Sequence, residues 1–305
     1  MNLTGVHFLL TYRCDTECDH CFVWGSPFQK GVIKLKEILF LLNEIRKVEA
    51  VKEISLEGGE PFLYYPIMVK AAKEAVKLGF SVEIVTNGYW ACSVEDALEW
   101  LKPFAEIENI SLSLSSDYFH GEKWITEEAE NAVKAAKKLG IPIVILAVSN
   151  PNISEKCPNE VLGVPVDISE LRFRGRAAEK LVKNVEKRNW TEFKECPYED
   201  LADPVRVHID PLGYVHVCQG ICIGNAFQKS FSKIIKEYKP YSHPIVEALL
   251  KNGPFGLAQK YGVPHKEFYA DACHFCYEIR CTLRKLLPEV SEFLAPDQVY
   301  GEGLS

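Results

Sequence analysis

The sequence has no long apolar run. Its most apolar stretch near the start, Val6 to Leu10, is far shorter than the roughly twenty residues that a membrane-spanning helix needs. The residues before it, Met-Asn-Leu-Thr-Gly, contain no basic side chain, so the positively charged start of a secretory signal peptide is missing as well. These absences predict a cytoplasmic protein without a membrane partner.

The chain also has fewer basic than acidic side chains. The chain has 35 Lys and Arg against 42 Asp and Glu, for a net charge of −7 over 305 residues. Nucleic-acid binding depends on basic side chains that neutralise phosphates. The charge balance therefore disfavours DNA or RNA as a partner.

Cysteine is abundant by comparison, with 11 residues that are unevenly distributed. One group lies between residues 14 and 21, a second lies between 196 and 281, and Cys92 and Cys157 stand apart. A cytoplasmic chain keeps its thiols reduced, so such groups indicate metal ligands or reactive thiols before disulfides.

The first part of the chain alternates β-rich runs with amphipathic helical patterns, as the stripe of apolar residues over 125–139 illustrates. Strands are predicted at residues 6–12, 53–57, 81–87, 109–115, 141–149 and 168–174. Strands that alternate with helices form parallel sheets with right-handed crossovers. We therefore predict an α/β fold with a partial (β/α)6 TIM-like barrel, and an open doubly wound sheet is the alternative.

The pattern changes near residue 190. The runs 205–209 and 214–218 flank the turn residues Pro211 and Gly213 and predict a β-hairpin, and helical segments follow it. We predict a core domain at residues 1–189 and a cysteine-rich α+β domain, a hairpin plus helices, at residues 190–305.

The first cysteines, Cys14, Cys18 and Cys21, have the spacing C-x3-C-x2-C and follow the first predicted strand. Three thiolates can hold three irons of a [4Fe–4S] cluster, which takes one thiolate per iron. The fourth iron then has an open position where chemistry can occur. Chance clustering, or a zinc site with a distant fourth ligand, is the alternative.

Polar or glycine-bearing motifs follow the next strands as well. They are GGEP (Gly58 to Pro61), TNG (Thr86 to Gly88) and SSD (Ser115 to Asp117). The carboxyl ends of parallel strands in a β/α barrel meet at one rim, which is where barrel enzymes place their active sites. Together with the cysteines, these strand ends predict an active site.

At these motifs the sequence resembles the radical S-adenosylmethionine (radical SAM) superfamily over about residues 6–176. The resemblance implies a [4Fe–4S] cluster on Cys14, Cys18 and Cys21, whose open iron binds S-adenosylmethionine. It also implies roles for residues of the other motifs in holding that molecule. Gly58, Gly59 and Glu60 of the GGEP motif, which ends at Pro61, would hold the methionine amino group, Phe22 would lie by the adenine, and Asn87 and Ser115 would contact the ribose or methionyl part.

The later cysteines are similar to the Twitch and SPASM appendages of that superfamily, which carry auxiliary clusters. The resemblance implies an auxiliary [4Fe–4S] cluster, and we expect Cys196, Cys218, Cys273 and Cys276 as its ligands. Cys222 and Cys281 are possible alternates. A full SPASM pattern would have further cysteines after this point, but none follows Cys281. A structural zinc site that includes His274 is the alternative.

The family chemistry implied is reductive cleavage of S-adenosylmethionine to a 5′-deoxyadenosyl radical, which takes hydrogen from a substrate C–H bond. We expect peptide or protein modification, with a dehydrogenase or cyclase acting on a small metabolite or cofactor precursor as the alternative. A non-enzymatic iron–sulfur electron carrier is a third possibility. Asp117 and His120 are the catalytic candidates, and ferredoxin or flavodoxin is the expected electron donor.

Overall fold

A ten-stranded sheet forms the centre of the fold in the computed structural model, which describes residues 1–302. Its strands lie in the order β11-β10-β9-β1-β2-β3-β4-β5-β7-β6, and β12 pairs with β8 in a separate two-stranded sheet. The strands are β1 (Gly5–Leu9), β2 (Glu53–Glu57), β3 (Ser81–Thr86), β4 (Ile110–Ser115), β5 (Ile143–Val148), β6 (Glu160–Val161), β7 (Val164–Ser169), β8 (Arg188–Asn189), β9 (Arg206–Ile209), β10 (Tyr214–Cys218), β11 (Ile221–Asn225) and β12 (Phe268–Tyr269).

Helices connect most of the consecutive parallel strands. They are α1 (Leu35–Ile45), α2 (Tyr65–Lys77), α3 (Val94–Ala105), α4 (Glu127–Leu139), α5 (Ala177–Lys180), α6 (Phe231–Glu237), α7 (Val246–Tyr261), α8 (Ala272–Leu286) and α9 (Pro288–Ser291). Parallel pairing runs without interruption from β1 through β2, β3, β4 and β5 to β7. The predicted α/β class, with the parallel sheet of a partial barrel and a cysteine-rich C-terminal region, is confirmed.

Local chemistry explains where these helices begin and end. The Thr126 hydroxyl accepts a hydrogen bond from the backbone of Ala129 and so caps the start of α4, which ends at Gly140 in the left-handed conformation. The Asp271 carboxylate caps α8 in the same way, by accepting from the backbone of His274. This cap fixes the start of α8, whose first two turns carry Cys273 and Cys276.

The prediction of a sixth strand at 168–174 is wrong. The strand is β7, which begins at Val164 and pairs with β6 through a turn in which Leu162 and Gly163 both have positive φ. No α-helix lies between β5 and β7 within the described part of the chain. The Phe173 backbone donates instead to Asp271 at 3.2 Å, so the segment after β7 is drawn to the C-terminal helices.

The predicted hairpin forms β9 and β10, which pair antiparallel. β9 also pairs in parallel with β1, so the sheet continues across the predicted boundary at 189/190. The buried carboxylate of Asp210 in the hairpin turn accepts from the Tyr12 hydroxyl at 2.8 Å. The division into two domains stays a prediction, and the strand pairing places the C-terminal cysteines next to the core sheet.

None of the helices within residues 1–302 is both long enough and apolar enough to span a bilayer.

Candidate active site and cysteine centres

The cysteine loop, which we define as Cys14 to Cys21, follows β1. The Cys14 backbone donates to Ser26 at 3.0 Å, which closes the longer loop that contains these thiols. The Thr16 hydroxyl lies 3.6 Å from the Cys14 thiol and 3.5 Å from the Cys18 thiol. The Gly25 backbone donates to the Cys21 sulfur at 3.1 Å. The loop therefore gathers its thiols around a few backbone and hydroxyl groups.

Gly59 allows the end of β2 to lie against this loop. A side chain at Gly59 would place its Cβ 2.2 Å from the carbonyl oxygen of Arg13, so only glycine fits there. The backbone of Gly59 donates to Thr11, and the backbone of Glu60 donates to Arg13 at 2.9 Å. Gly58, at φ +152°, has equally little room, because a Cβ there would lie 2.5 Å from the Thr11 carbonyl oxygen. The two glycines bring Glu60 to the cysteine loop.

Glu60 is fully buried and is held by three donors. Its carboxylate accepts from the Phe62 backbone, the Thr86 hydroxyl and the Asn87 backbone, each at 2.9 Å. Burial raises the pKa of Glu60 to about 8, although these hydrogen bonds favour the ionised form. Pro61 begins the short 3-10 turn that supplies the Phe62 donor. A cationic group bound beside Glu60 would favour the ionised carboxylate and offset the effect of burial.

Asn87, at the end of β3, contacts the cysteine loop directly. Its side-chain amide donates to Asp15 at 2.7 Å and lies 3.8 Å from the Cys14 thiol. Ser115 is half-buried at the end of β4, opposite Leu146 of β5, while the next residue, Ser116, is buried and bonded to Trp124. The structure therefore brings Asn87 to the thiols, and it places Ser115 on the same strand-end rim.

Asp117 and His120 form a pair beside the loop. The buried Asp117 carboxylate lies 2.8 Å from His120 Nδ1 and accepts from the Val148 backbone at 2.8 Å. His20 of the cysteine loop completes this group, because its ring stacks on Phe119 at 4.6 Å and meets His120 at 5.1 Å. Burial lowers the pKa of His20 to about 4.

His20 was not predicted from the sequence, although its position between Cys18 and Cys21 was a signal. Arg176 was not predicted either, and its guanidinium donates to the carbonyls of Cys18 at 2.7 Å and Gly25 at 2.8 Å. The neighbouring Gly175 has φ +61°, and a Cβ there would lie 2.5 Å from the Cys21 carbonyl oxygen. The segment after β7 therefore packs against the backbone of the cysteine loop and is hydrogen-bonded to it.

The four-cysteine pocket, lined by Cys196, Cys218, Cys273 and Cys276, lies in the C-terminal region. The thiols come from separate segments, with Cys218 at the end of β10 and the last two on the first turns of α8. Burial raises the pKa of Cys276 to about 12. Arg174 and Arg280 also line the pocket, and Arg174 donates to the Cys218 sulfur at 3.6 Å. Two arginines therefore lie beside a group of half-buried thiols.

Cys222 and Cys281 are not among the residues that line this pocket. The buried Cys222 thiol donates to the Gly224 carbonyl at 3.2 Å, on β11. His274 is also turned to other partners, since its Nδ1 accepts from the Ala270 backbone at 3.1 Å and its Nε2 lies 3.1 Å from Glu278. This geometry disfavours the zinc alternative with His274 as a ligand.

Both groups of thiols suit iron–sulfur clusters by their donor chemistry. Cys14 and Cys21 converge on Gly25, where a Cβ would lie 3.4 Å from Cys14 Cβ and 3.4 Å from Cys21 Sγ. The missing side chain leaves the space between these cysteines clear. In the four-cysteine pocket the donors are thiols with arginines beside them, and cationic side chains stabilise an anionic thiolate-ligated centre.

Comparison with known proteins agrees with these features. The model of the Radical SAM superfamily matches residues 8–163. The chain is 24% identical over 264 residues to the "Putative peptide biosynthesis protein YydG" of Bacillus subtilis (strain 168), an alignment that covers 83% of this chain and 79% of YydG.

Two further similarities cover most of this chain. The "Antilisterial bacteriocin subtilosin biosynthesis protein AlbA" of Bacillus subtilis (strain 168) is 22% identical over 280 residues, which cover 79% of this chain but 61% of AlbA. The solved structure of Streptococcus suis SuiB bound to S-adenosylmethionine has a TM-score of 0.46 and 16% identity, and covers 79% of this chain and 67% of SuiB.

Proposed function

This chain belongs to the radical SAM superfamily, and from that premise we propose that it modifies a peptide or protein by abstracting hydrogen from a C–H bond. The chain is a radical SAM enzyme, so the alternative of a non-enzymatic electron carrier falls away. The names of YydG and AlbA, which refer to peptide biosynthesis and to bacteriocin biosynthesis, support the choice of a peptide substrate.

In this proposal Cys14, Cys18 and Cys21 hold a [4Fe–4S] cluster. When bound, that cluster supplies the electron that cleaves S-adenosylmethionine to methionine and a 5′-deoxyadenosyl radical. The chain's own residues hold and orient the molecule. The Glu60 carboxylate, held by its three donors, binds the methionine amino group beside Gly58 and Gly59.

The remaining contacts to S-adenosylmethionine are proposed for three side chains around the loop. Asn87 lies against the Cys14 thiol, and Ser115 ends the next strand along the rim. Phe22 follows the last cysteine of the loop and is half-buried. Asp117 and His120, which adjoin His20, are the candidates for contact with the reacting substrate.

The four-cysteine pocket holds the auxiliary [4Fe–4S] cluster in this proposal. Arg174 is the single observation that carries it: the guanidinium lies 5.0 Å from the ring centroid of Phe22 and donates to the Cys218 sulfur. One side chain therefore spans from the residue after the cysteine loop to the four-cysteine pocket. Such proximity supports an auxiliary cluster that accepts an electron from the substrate radical or binds the substrate.

An external reductant must supply the electron for cleavage. We propose ferredoxin or flavodoxin as this partner, because both are one-electron carriers of the low potential that an S-adenosylmethionine-cleaving cluster requires. The reaction does not need a nucleic acid or a membrane.

The alternative substrate class is a small metabolite or cofactor precursor. It is supported by the similarity of part of this chain to a "GTP 3',8-cyclase" of Rhizobium etli, 28% identical over 161 residues that cover 50% of this chain. An assay that follows both 5′-deoxyadenosine and the peptide mass distinguishes the two classes.

The test begins with anaerobically reconstituted protein, dithionite and S-adenosylmethionine. We expect 5′-deoxyadenosine, measured by liquid chromatography, and its absence would contradict the enzyme chemistry. Short peptides encoded beside the gene are then added, and mass spectrometry reads their masses. Loss of hydrogen mass from a peptide supports the proposal. Stimulation of 5′-deoxyadenosine formation by a small-molecule extract, with every peptide mass unchanged, would favour the alternative.

A further inference from the structure

A row of polar side chains crosses the inner face of the parallel sheet. Strand pairing places His7 opposite His208 on one side and Ser55 on the other, and the row continues through Glu83 to Ser111. The residues between them along each strand, such as Val6, Ile54 and Val82, are buried on the opposite face, against the helices. The interior of the partial barrel is therefore polar and titratable on this row.

Glu57, at the end of β2, joins the two histidines into a compact group. Its carboxylate oxygens lie 2.9 Å from His208 Nδ1 and 3.4 Å from His7 Nδ1. The three ligand atoms all lie within 4.8 Å of one another. Two ligands of a tetrahedral zinc ion, each about 2.0–2.1 Å from the metal, are themselves about 3.3 Å apart. The group thus has nearly the spacing that a bound cation requires.

Two buried polar atoms, one in this group and one next to it, have no hydrogen-bond partner among the described residues. One is His7 Nδ1, which faces Glu57 but is not aligned for a hydrogen bond with it. The other is the hydroxyl of Ser55, a residue that is only 3% exposed. An unpartnered buried polar atom costs about 1–3 kcal/mol, so such atoms indicate that another group completes the site.

A cavity of about 420 Å³ reaches the group from the side away from the cysteine loop. His7 and Ser55 line it, together with Glu53, Ser81 and Asn109 at or before the first residues of their strands. A solute that enters here reaches His7 from the amino ends of the strands, whereas the cysteine loop lies at their carboxyl ends. The two sites are therefore separately accessible.

The local charge favours a cation. Glu53, Glu57 and Glu83 lie on this face, whereas the nearby Arg206 pairs with Glu199 at 3.4 Å. A face that is rich in carboxylates attracts a divalent cation, and a metal that binds an imidazole displaces its proton.

We propose that His7, Glu57 and His208 bind a divalent cation of the zinc type. Two imidazoles and one carboxylate are a ligand set that zinc and related first-row metals accept, and three protein ligands leave one coordination position for water or a substrate group. In the absence of metal, Glu57 is hydrogen-bonded to His208 at 2.9 Å and lies 3.4 Å from His7 Nδ1. The site does not depend on the proposed substrate or on the auxiliary cluster.

The test uses the anaerobically reconstituted protein, with its iron loaded, after incubation with zinc and removal of free metal. Elemental analysis should find about one zinc per chain, and zinc-edge X-ray absorption should find nitrogen and oxygen ligands at about 2.0–2.1 Å. Zinc in a cysteine site would instead have sulfur ligands at about 2.3 Å. The ligand shell therefore distinguishes zinc at this site from zinc bound by cysteines that hold no iron, and it does so whether or not the cysteines hold clusters.

Glu57→Gln and His208→Asn should each weaken zinc retention by at least about tenfold, since even residues behind the ligands contribute that much. His265→Asn, at an exposed histidine, is the matched control and should retain zinc as the wild type does. Circular dichroism and iron content verify that each variant is folded. No zinc in the wild type, a sulfur-only shell, or wild-type retention in both variants would overturn the proposal. If a variant does not fold, the ligands found around zinc in the wild-type protein still test the proposal.

Discussion

The two groups of thiols are built differently. The cysteine loop takes three cysteines from one short segment, Glu60 and Asn87 reach it from neighbouring strand ends, and Arg176 binds its backbone. The four-cysteine pocket assembles thiols from distant segments and adds Arg174 and Arg280. Three thiolates leave one iron of a [4Fe–4S] cluster without a protein ligand, whereas four thiolates can ligate every iron. In our proposal, the first group therefore carries the chemistry and the second is the auxiliary centre.

The largest effect is expected from removing the cysteine loop's thiols. The triple change Cys14→Ala, Cys18→Ala and Cys21→Ala should reduce 5′-deoxyadenosine formation to background, because the cluster has no remaining ligand on the loop. Iron analysis should find a loss of about four irons per chain. Cys92→Ala, at an exposed thiol, is the control and should change neither value. A triple variant that keeps all its iron would contradict the assignment.

The second prediction concerns the four-cysteine pocket. Cys218→Ser should remove the auxiliary iron, about four irons per chain, and leave 5′-deoxyadenosine formation without substrate largely intact. Cys222→Ser is the matched control, because this thiol is buried nearby on β11 but does not line the pocket. Iron and sulfide analysis measure both. Equal iron loss in the two variants would mean that Cys222 is also a ligand.

A smaller effect is expected at Gly175, where the segment after β7 packs against the cysteine loop. Gly175→Ala adds a Cβ 2.5 Å from the Cys21 carbonyl oxygen, at a φ of +61°. Gly140→Ala, at φ +70° with no atom within 4 Å, carries only the cost of the left-handed conformation, about 1–2 kcal/mol. Gly175→Ala should destabilise the fold by about 1–3 kcal/mol more, measured by denaturant unfolding, and should lower the iron bound by the loop. Equal destabilisation would show that the loop can move away.

The smallest effect is expected at Arg174. Arg174→Gln removes a positive charge beside Cys218, which disfavours the reduced, more negative auxiliary cluster. The reduction potential should therefore become more negative, as read by a redox titration followed by electron paramagnetic resonance. Substrate turnover should fall by up to about tenfold. Arg172→Gln, which removes a guanidinium that lies over Tyr198, is the control. A potential that is equal in both variants would remove the role of Arg174.

Local sequence patterns identified the parallel sheet and the position of the cysteine loop. The observed bounds of β2, β3 and β4 lie within one residue of the bounds that were predicted from the alternation of β-rich and helical patterns. The sixth strand was misplaced because Leu162 and Gly163 make a hairpin turn, and because Asp271 binds the backbone of Phe173. That contact joins residues far apart in the chain, so no local pattern reports it.

By itself the sequence determined the family, because spacing within C-x3-C-x2-C and the GGEP motif is a local property of the chain. The tertiary structure decided which cysteines share a pocket, and it brought Arg176 to the loop and His7 to His208. The physical reason is that parallel strand pairing and crossover packing bring together residues whose separation along the chain gives no sign of contact.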